Sequence, residues 1–348
     1  MTSRAIFSLG ELLNHCGAFS PTTPVEVKRY GYSSKNAPLV SIIVPVHNQD
    51  RIIATNLELM RSQSVEVHEI VVIVDGCTDD TSLRIESWIQ SLSFDERTVG
   101  VTVATIEEGV FETVCDSIGG RLATGDFLIE VQADMSLTER GFDRVLLAAL
   151  SSAPALLAVS GRGAHSFSRL ESRRGRYQLV TLRKLARLLF ASWARLFKKY
   201  APSSLEMRLS DEMGRVAALI NYPAARTNRR KVYVHETVMR GPLAIARIDF
   251  EMMEGFDTQH FFLGNDDHDL AMRALLMHQR RVGYTPIGFD SPVEVGSTRA
   301  PRSLEAQRRF DELREYYENE FASSVLGRNL GSFKRPKRYS VPIRKVRL

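Results

Sequence analysis

The sequence predicts an α/β fold: a mixed, mostly parallel central sheet with flanking helices. Apolar runs of strand length alternate with segments of helical period over about 100 residues, and polar residues gather where the apolar runs stop. LVSIIVPV (39–46) has no polar face, as a parallel strand covered on both sides requires. ATNLELMRSQS (54–64) has helical spacing, and HEIVVIVD (68–75) is a second strand. DDTSLRIESWIQSL (79–92) opens with acids and Thr, so Asp79 and Asp80 read as cap and dipole partners of an amphipathic helix. VGVTVAT (99–105) is a third strand. DSIGGRLATG (116–125) reads as a helix closed by Gly125, and DFLIEVQAD (126–134) as a fourth strand. Residues 141–160 continue with a helix and a further strand, while residues 1–37 read as a short mixed extension that ends in the polar linker YSSKNAP.

Composition narrows the class. At 348 residues the chain can build a large α/β domain or two lobes, and 44% hydrophobic with 25% charged content is globular. No apolar run approaches the roughly 20 residues that span a bilayer. The N-terminus lacks the apolar stretch of a signal peptide. Cys16, Cys77 and Cys115 are odd in number and show no metal spacing, which points to a reducing, cytoplasmic setting. The net charge of +5 is local in origin. Residues 171–200 hold nine Lys/Arg against one acid, and residues 333–348 hold seven Lys/Arg and no acid. Two segments therefore face an anionic surface.

In open parallel sheets, ligands bind beyond the carboxyl ends of the strands. Pro45, His47 and Asn48 close the first strand, Asp75 the second, and Gln132 and Asp134 the fourth. Two carboxylates closing strands of one sheet are costly to bury together unless donors or a cation compensate, and few carboxylates plus phosphate oxygens suit Mg2+ or Mn2+.

SIIVPVHNQDRI, IVVIVDGCTDDTS and GRLATGDFLIEVQADM, followed by RGPLAIARIDFEMMEGFDTQHFFLGNDDHDLAMRALLMHQRRVGY, resemble the inverting nucleotide-diphospho-sugar glycosyltransferases of the GT-A fold, glycosyltransferase family 2. The resemblance covers about 38–145 and 235–290. It implies a GT-A catalytic domain over 38–295. Within it, 38–150 bind the nucleotide-sugar, 151–230 form a helical basic insertion and 231–295 form the acceptor half, with a C-terminal helix and basic tail over 296–348. It also implies residue roles. Pro45, His47 and Asn48 would fold around the nucleotide, and Asp75 would hydrogen-bond the base. Asp134 would hold the metal on the diphosphate. Asp267 would be the general base, with Asp266 beside it. The donor would be a nucleotide-diphospho-sugar, with a UDP-sugar favoured, and the acceptor a glycan or a lipid-linked hydroxyl.

The chain departs from the family pattern in three places. The first acid of the Asp-x-Asp motif is Gln132, which can bond a ribose hydroxyl but brings no charge. The Arg-Asn pair in the helix before the fourth strand is Asp116-Ser117, which makes Asp116 a further candidate contact. The Gln-x-x-Arg-Trp motif of processive polymer synthases is absent, so the expected transferase is nonprocessive. His235 is a candidate metal ligand, with a packed histidine the more common reading. Arg240 and Arg299 are candidate phosphate contacts, weighed against ordinary surface arginines.

LRKLARLLFASWARLFKK (182–199) places Leu, Phe and Trp on one helical face and six basic residues on the other. Such a helix suits peripheral contact with an anionic membrane, and equally a helix packed on the domain. Nucleic-acid binding is not expected, because the basic segments lack interleaved stacking aromatics. Two other classes compete. A nucleotidyltransferase needs a Gly-rich basic loop after the first strand, where this chain has VPVHNQDR. A non-catalytic nucleotide-sugar or membrane-binding protein has no need of Asp267.

Overall fold

The computed structural model describes residues 2–31, 39–92, 99–167, 170, 231–290 and 303–343. The chain begins with β1 (Thr2–Ser8), α1 (Leu9–Leu12) and β2 (Pro24–Tyr30). The alternating segment follows as β3 (Val40–Val46), α2 (Ile53–Gln63), β4 (Val67–Asp75), α3 (Thr81–Ser91), β5 (Gly100–Ile106), α4 (Phe111–Leu122) and β6 (Phe127–Glu130). Next come β7 (Ser136–Leu137), α5 (Phe142–Leu150), β8 (Leu156–Ser160) and β9 (Gly163–His165). The second half holds β10 (Lys231–His235), β11 (Thr237–Met239), β12 (Leu243–Ala246), α6 (Arg247–Met252) and α7 (Asp266–His278). It closes with β13 (Arg281–Tyr284), β14 (Phe289–Asp290), α8 (Leu304–Glu320), α9 (Val325–Asn329) and β15 (Tyr339–Pro342).

Among the described residues, eleven strands form one sheet in the order β1-β2-β5-β4-β3-β6-β12-β8-β13-β10-β15. The centre is parallel: β3 pairs with β4 and β6, and β4 with β5. β12 enters antiparallel between β6 and β8, and β8 pairs in parallel with β13. Both flanks are antiparallel, through β1 and β2 on one side and β10 and β15 on the other. One layer of core lies on each face of the sheet. The buried pattern of β3 explains its unbroken apolar run.

Several elements differ from the expectation. Residues 2–31 add a hairpin whose second strand pairs with β5, Glu26 opposite Thr105. PVEVKRY alternates Val25 and Val27 into the core, a short period-two signal inside a segment read as irregular. β8 is a core strand, although it falls within the 151–230 insertion. α4 starts five residues ahead of the expected Asp116. No local residue caps it; its first amides are held by a carboxylate from β4. β6 stops at Glu130, where its ladders with β3 and β12 both end. Asp134 therefore lies four residues past the strand, in a turn. The segment 182–199 lies outside the described residues, as does Arg299.

α4 lies close on β3 through Gly119 and close on α6 through Gly120. A Cβ at Gly119 would sit 2.3 Å from Ile43 Cγ2, and one at Gly120 would sit 2.2 Å from Phe250 Cε1. Alanine favours helix over glycine by about 1 kcal/mol, yet here it overpacks the core. Gly119→Ala should therefore destabilise by about 1–3 kcal/mol in denaturant unfolding. Gly331→Ala, whose Cβ meets nothing within 4 Å, should leave the midpoint unchanged.

Candidate active site

The loops after β3 and β4 are locked to each other. His47 Nδ1 lies 2.6 Å from the Asp75 backbone oxygen, which can only accept, so Nδ1 carries the proton. His47 Nε2 then accepts from Asn48 Nδ2 at 3.2 Å. Asn48 adopts a left-handed φ of 51°, a conformation asparagine tolerates. Its Oδ1 accepts the Thr78 amide at 2.8 Å, and its own amide donates to Cys77 Sγ at 3.3 Å. Pro45 lies inside β3, opposite Ile73, and not in the loop.

Asp75 is buried at the end of β4. Its Oδ1 accepts the Val110 amide at 2.6 Å and its Oδ2 the Phe111 amide at 3.0 Å. Burial pushes its carboxyl above the usual range, against the pull of those two amides. The expected base-reading acid is thus an anchor for the β5–α4 loop. Phe111, held in that loop, has a left-handed φ of 67°, rare for a bulky residue and costly by about 1–3 kcal/mol. Its ring packs edge-on to Phe262 at 5.1 Å, which helps hold it there.

Beside this loop, a single buried guanidinium gathers acids from three elements. Arg240 Nη1 lies 2.7 Å from Asp116 Oδ2 and 2.5 Å from Asp266 Oδ2, and Nη2 lies 2.9 Å from Glu112 Oε2. The guanidinium also lies 5.4 Å from the Phe256 ring centre, a cation–π distance. Glu130 accepts the Gly241 amide at 2.7 Å. Four acids around one base cannot all ionise cheaply. Burial, with Glu112 adding to it, raises Glu130 to about 8 despite Arg240. Burial, with Asp267 adding to it, raises Asp266 to about 6, again against Arg240. Burial also carries Asp116 well above the usual carboxylate range.

The two acids that open α7 differ in kind. Asp266 is fully buried; it accepts from Thr113 Oγ1 at 2.8 Å and from the Asp267 amide at 3.0 Å, besides Arg240. Asp267 keeps 13% of its side chain exposed. Its Oδ2 accepts the Arg240 amide at 3.1 Å and its Oδ1 the His268 amide at 2.7 Å. Asp267 is the member of the pair that a substrate can reach.

Gln132 bridges charges of both signs: its Nε2 donates to Glu112 at 2.8 Å, and its Oε1 accepts from Arg162 at 2.9 Å. Asp134, in the half-buried turn after β6, is then the remaining carboxylate of the Asp-x-Asp pattern. Glu112, Asp116 and Glu130 each bring one oxygen within 4.8 Å of the others, the one such group among the described residues. Asp116 Oδ1 and Glu130 Oε1 are buried and accept no hydrogen bond, so they suit a proton or a cation.

The structure brings Asp116, Gln132, Arg240, Asp266 and Asp267 together and sets His47 and Asn48 in the loop after β3 and Asp75 at the end of β4. His235 does not join them. It lies on β10, four strands from β6 in the sheet order, or roughly 19 Å at 4.8 Å per strand. It cannot share an ion with Asp134, which follows β6. Arg240 cannot serve as a phosphate contact, because it is 5% exposed and committed to carboxylates. Glu112, Glu130, Thr113 and Arg162 were missed. Glu130 had a visible signal, an acid inside the apolar run FLIEV.

The family model of glycosyl transferase family 2 matches residues 41–218. The chain belongs to that family. No curated protein matches by sequence. Among solved structures, the chain is similar to the mannosyltransferase PcManGT from Pyrobaculum calidifontis in complex with GDP-Man and Mn2+. The identity is 17% and the TM-score 0.48, with 87% of this chain and 67% of that one covered. It is also similar to GalNAc-T7 with UDP, GalNAc and Mn2+, at 14% identity and a TM-score of 0.49, with 82% and 50% covered. For S. aureus TarS 1-349 the figures are 14%, 0.42, 82% and 66%. The chain thus spans half the length of the GalNAc-T7 chain. Identities and scores this low transfer no residue role.

Glu130 generates a pH test within this glycosyltransferase fold. Its unfolded value is 4.5 and its folded value about 8. Between those pH values the native state keeps a proton that the unfolded state has released, so stability falls as pH rises. In EDTA, Glu130→Gln should gain melting temperature over the parent progressively from pH 5 to about pH 8. A constant difference across that range would show that Glu130 carries no extra proton.

Proposed function

We propose that the protein transfers a glycosyl group from a nucleotide-diphospho-sugar to a hydroxyl of a glycan or lipid-linked acceptor, nonprocessively and with inversion at the anomeric carbon. The observation that carries this reading is the unequal Asp266–Asp267 pair at the start of α7, one acid locked and the other accessible. Inversion requires one carboxylate to take the acceptor's proton as its oxygen attacks opposite the leaving diphosphate. Asp267 suits that task. Two backbone amides fix its carboxylate, and its neighbour is neutralised by Arg240 or by a proton. The His47–Asn48–Thr78 clamp and the Asp75-held loop give the nucleotide a prearranged edge, at low ordering cost on binding. When bound, Mg2+ or Mn2+ would neutralise charge building on the diphosphate, with Asp134 as its protein ligand. The loop after β3 has no glycine, which disfavours a nucleotidyltransferase.

Membrane contact is part of the same proposal and rests on the sequence of 182–199. No helix among the described residues is long and apolar enough to cross a membrane. In the basic tail, Arg335 and Arg338 lie 3.7 and 3.0 Å from Glu236, and Tyr339–Pro342 pair with β10. That part of the tail is fastened to the sheet.

Asp267→Asn should retain nucleoside-diphosphate affinity in calorimetry and lose about 10²–10⁴-fold in transfer rate. Transfer within tenfold of the parent would remove Asp267 as the base, and NMR of the product's anomeric proton tests inversion directly. Asp134→Ala should weaken nucleoside-diphosphate binding in Mn2+ while leaving binding in EDTA unchanged. Equal losses in both buffers would exclude a metal role for this residue.

A further inference from the structure

A pocket of about 320 Å³ opens beyond the carboxyl end of β5, where ligands of open sheets gather. Its walls come from the β1–β2 connection and from α8, and its floor from the β5–α4 loop. The first two lie outside the residues 41–218 that the family model matches. The three segments are fastened together. Tyr317 Oη takes the Ala18 amide at 3.2 Å and donates to the Thr258 carbonyl at 3.4 Å. Arg309 Nη2 donates to the Gly109 carbonyl at 3.0 Å. A Cβ at Gly17 would sit 2.2 Å from Tyr317 Oη, which shows how closely the connection is laid on α8.

The lining selects a ligand class. Phe19, Val110 and Leu313 form a buried apolar base, and Tyr316, 38% exposed, presents a ring at the rim, edge-on to Tyr317 at 4.9 Å. Glu108 and Glu312 line it together with Ser20 and Thr23. Arg309 is the one lining base, and part of its guanidinium is spent on Gly109. Two carboxylates repel a diphosphate but accept strong hydrogen bonds from neutral hydroxyls. An apolar ring beside them suits the C–H face of a sugar. The volume is at the low end of the range for small-molecule sites, about 300–1,000 Å³, and fits a sugar unit better than a nucleotide-sugar.

The floor ties the pocket to the reaction centre. Val110 donates to Asp75, and Thr113, one turn into α4, donates to Asp266. We propose that this pocket binds a neutral sugar unit of the acceptor other than the one that is glycosylated. The assignment rests on the glycosyl-transfer reading, and its test separates the two.

The full-length protein is applied to an array of neutral oligosaccharides with their uronate and sulfated counterparts, alongside Tyr316→Ala and Glu312→Gln. Both side chains are exposed, so the variants should melt as the parent does. The parent should bind neutral members at least tenfold better than their anionic counterparts. Each variant should lose at least tenfold in that binding, while calorimetric affinity for UDP and GDP is unchanged. Absence of neutral-glycan binding by the parent overturns the assignment, as do variants that bind like the parent. Loss of nucleotide affinity in the variants overturns it too, because the pocket would then serve the donor. Release of nucleotide from UDP- and GDP-sugars, measured on the same parent, tests glycosyl transfer separately; its absence alongside glycan binding would sink the transfer reading alone.

Discussion

The Arg240 guanidinium joins the two halves of the domain. The acids around it come from α4 through Glu112 and Asp116, and from α7 through Asp266, while β6 contributes Glu130 close by. Removing one partner from a buried ion pair typically costs about 3–5 kcal/mol, because the survivor stays buried without compensation. Here one guanidinium serves several carboxylates at once, a task suited to Arg's planar fork and not to a lysine. The same residue's backbone amide grips Asp267. One side chain therefore sets the spacing of α4 and α7, and its own main chain sets the aim of the accessible acid. The excess of acids is met in part by a proton held on Glu130 at neutral pH, in line with its raised value of about 8.

A second constraint acts through the β5–α4 loop. Asp75 holds the amides of Val110 and Phe111, and Phe111 is kept left-handed between that grip and the Phe262 ring. Two residues on, Thr113 reaches Asp266. Asp75 at the end of β4, the strained loop and the Asp266–Asp267 pair are thus links of one chain of contacts. Strain of this kind persists only where surrounding contacts over-determine it. A shift of the loop would disturb the end of β4 and the acid pair together.

The parallel core was legible because it is written in local periodicity. LVSIIVPV and HEIVVIVD became β3 and β4 nearly to the residue, since strands buried on both faces leave little else for such runs to do. The acids that open α7 were legible as well. What escaped depends on partners distant in sequence. The β1–β2 hairpin is stabilised by β5, about 75 residues away, and its two buried valines are too short a signal alone. The start of α4 is capped from β4, and Arg240 reads as a surface base until three carboxylates are folded around it. That Asp75 anchors a loop escaped for the same reason. A strand-end acid looks free until the loop that it holds is in place.

Two departures from the family pattern become one rearrangement in this structure. Where the pattern has Arg, this chain has Asp116, so the positive charge must come from another element, and Arg240 brings it. That exchange leaves Glu112, Asp116, Glu130 and Asp266 around a single base. A further carboxylate at position 132 would face Glu112 and add repulsion in a poorly solvated place. Gln132 instead donates to Glu112 and accepts from Arg162, so an amide satisfies both neighbours where an acid would satisfy only one. The amide at 132 therefore fits an acid-rich neighbourhood that a further carboxylate would burden.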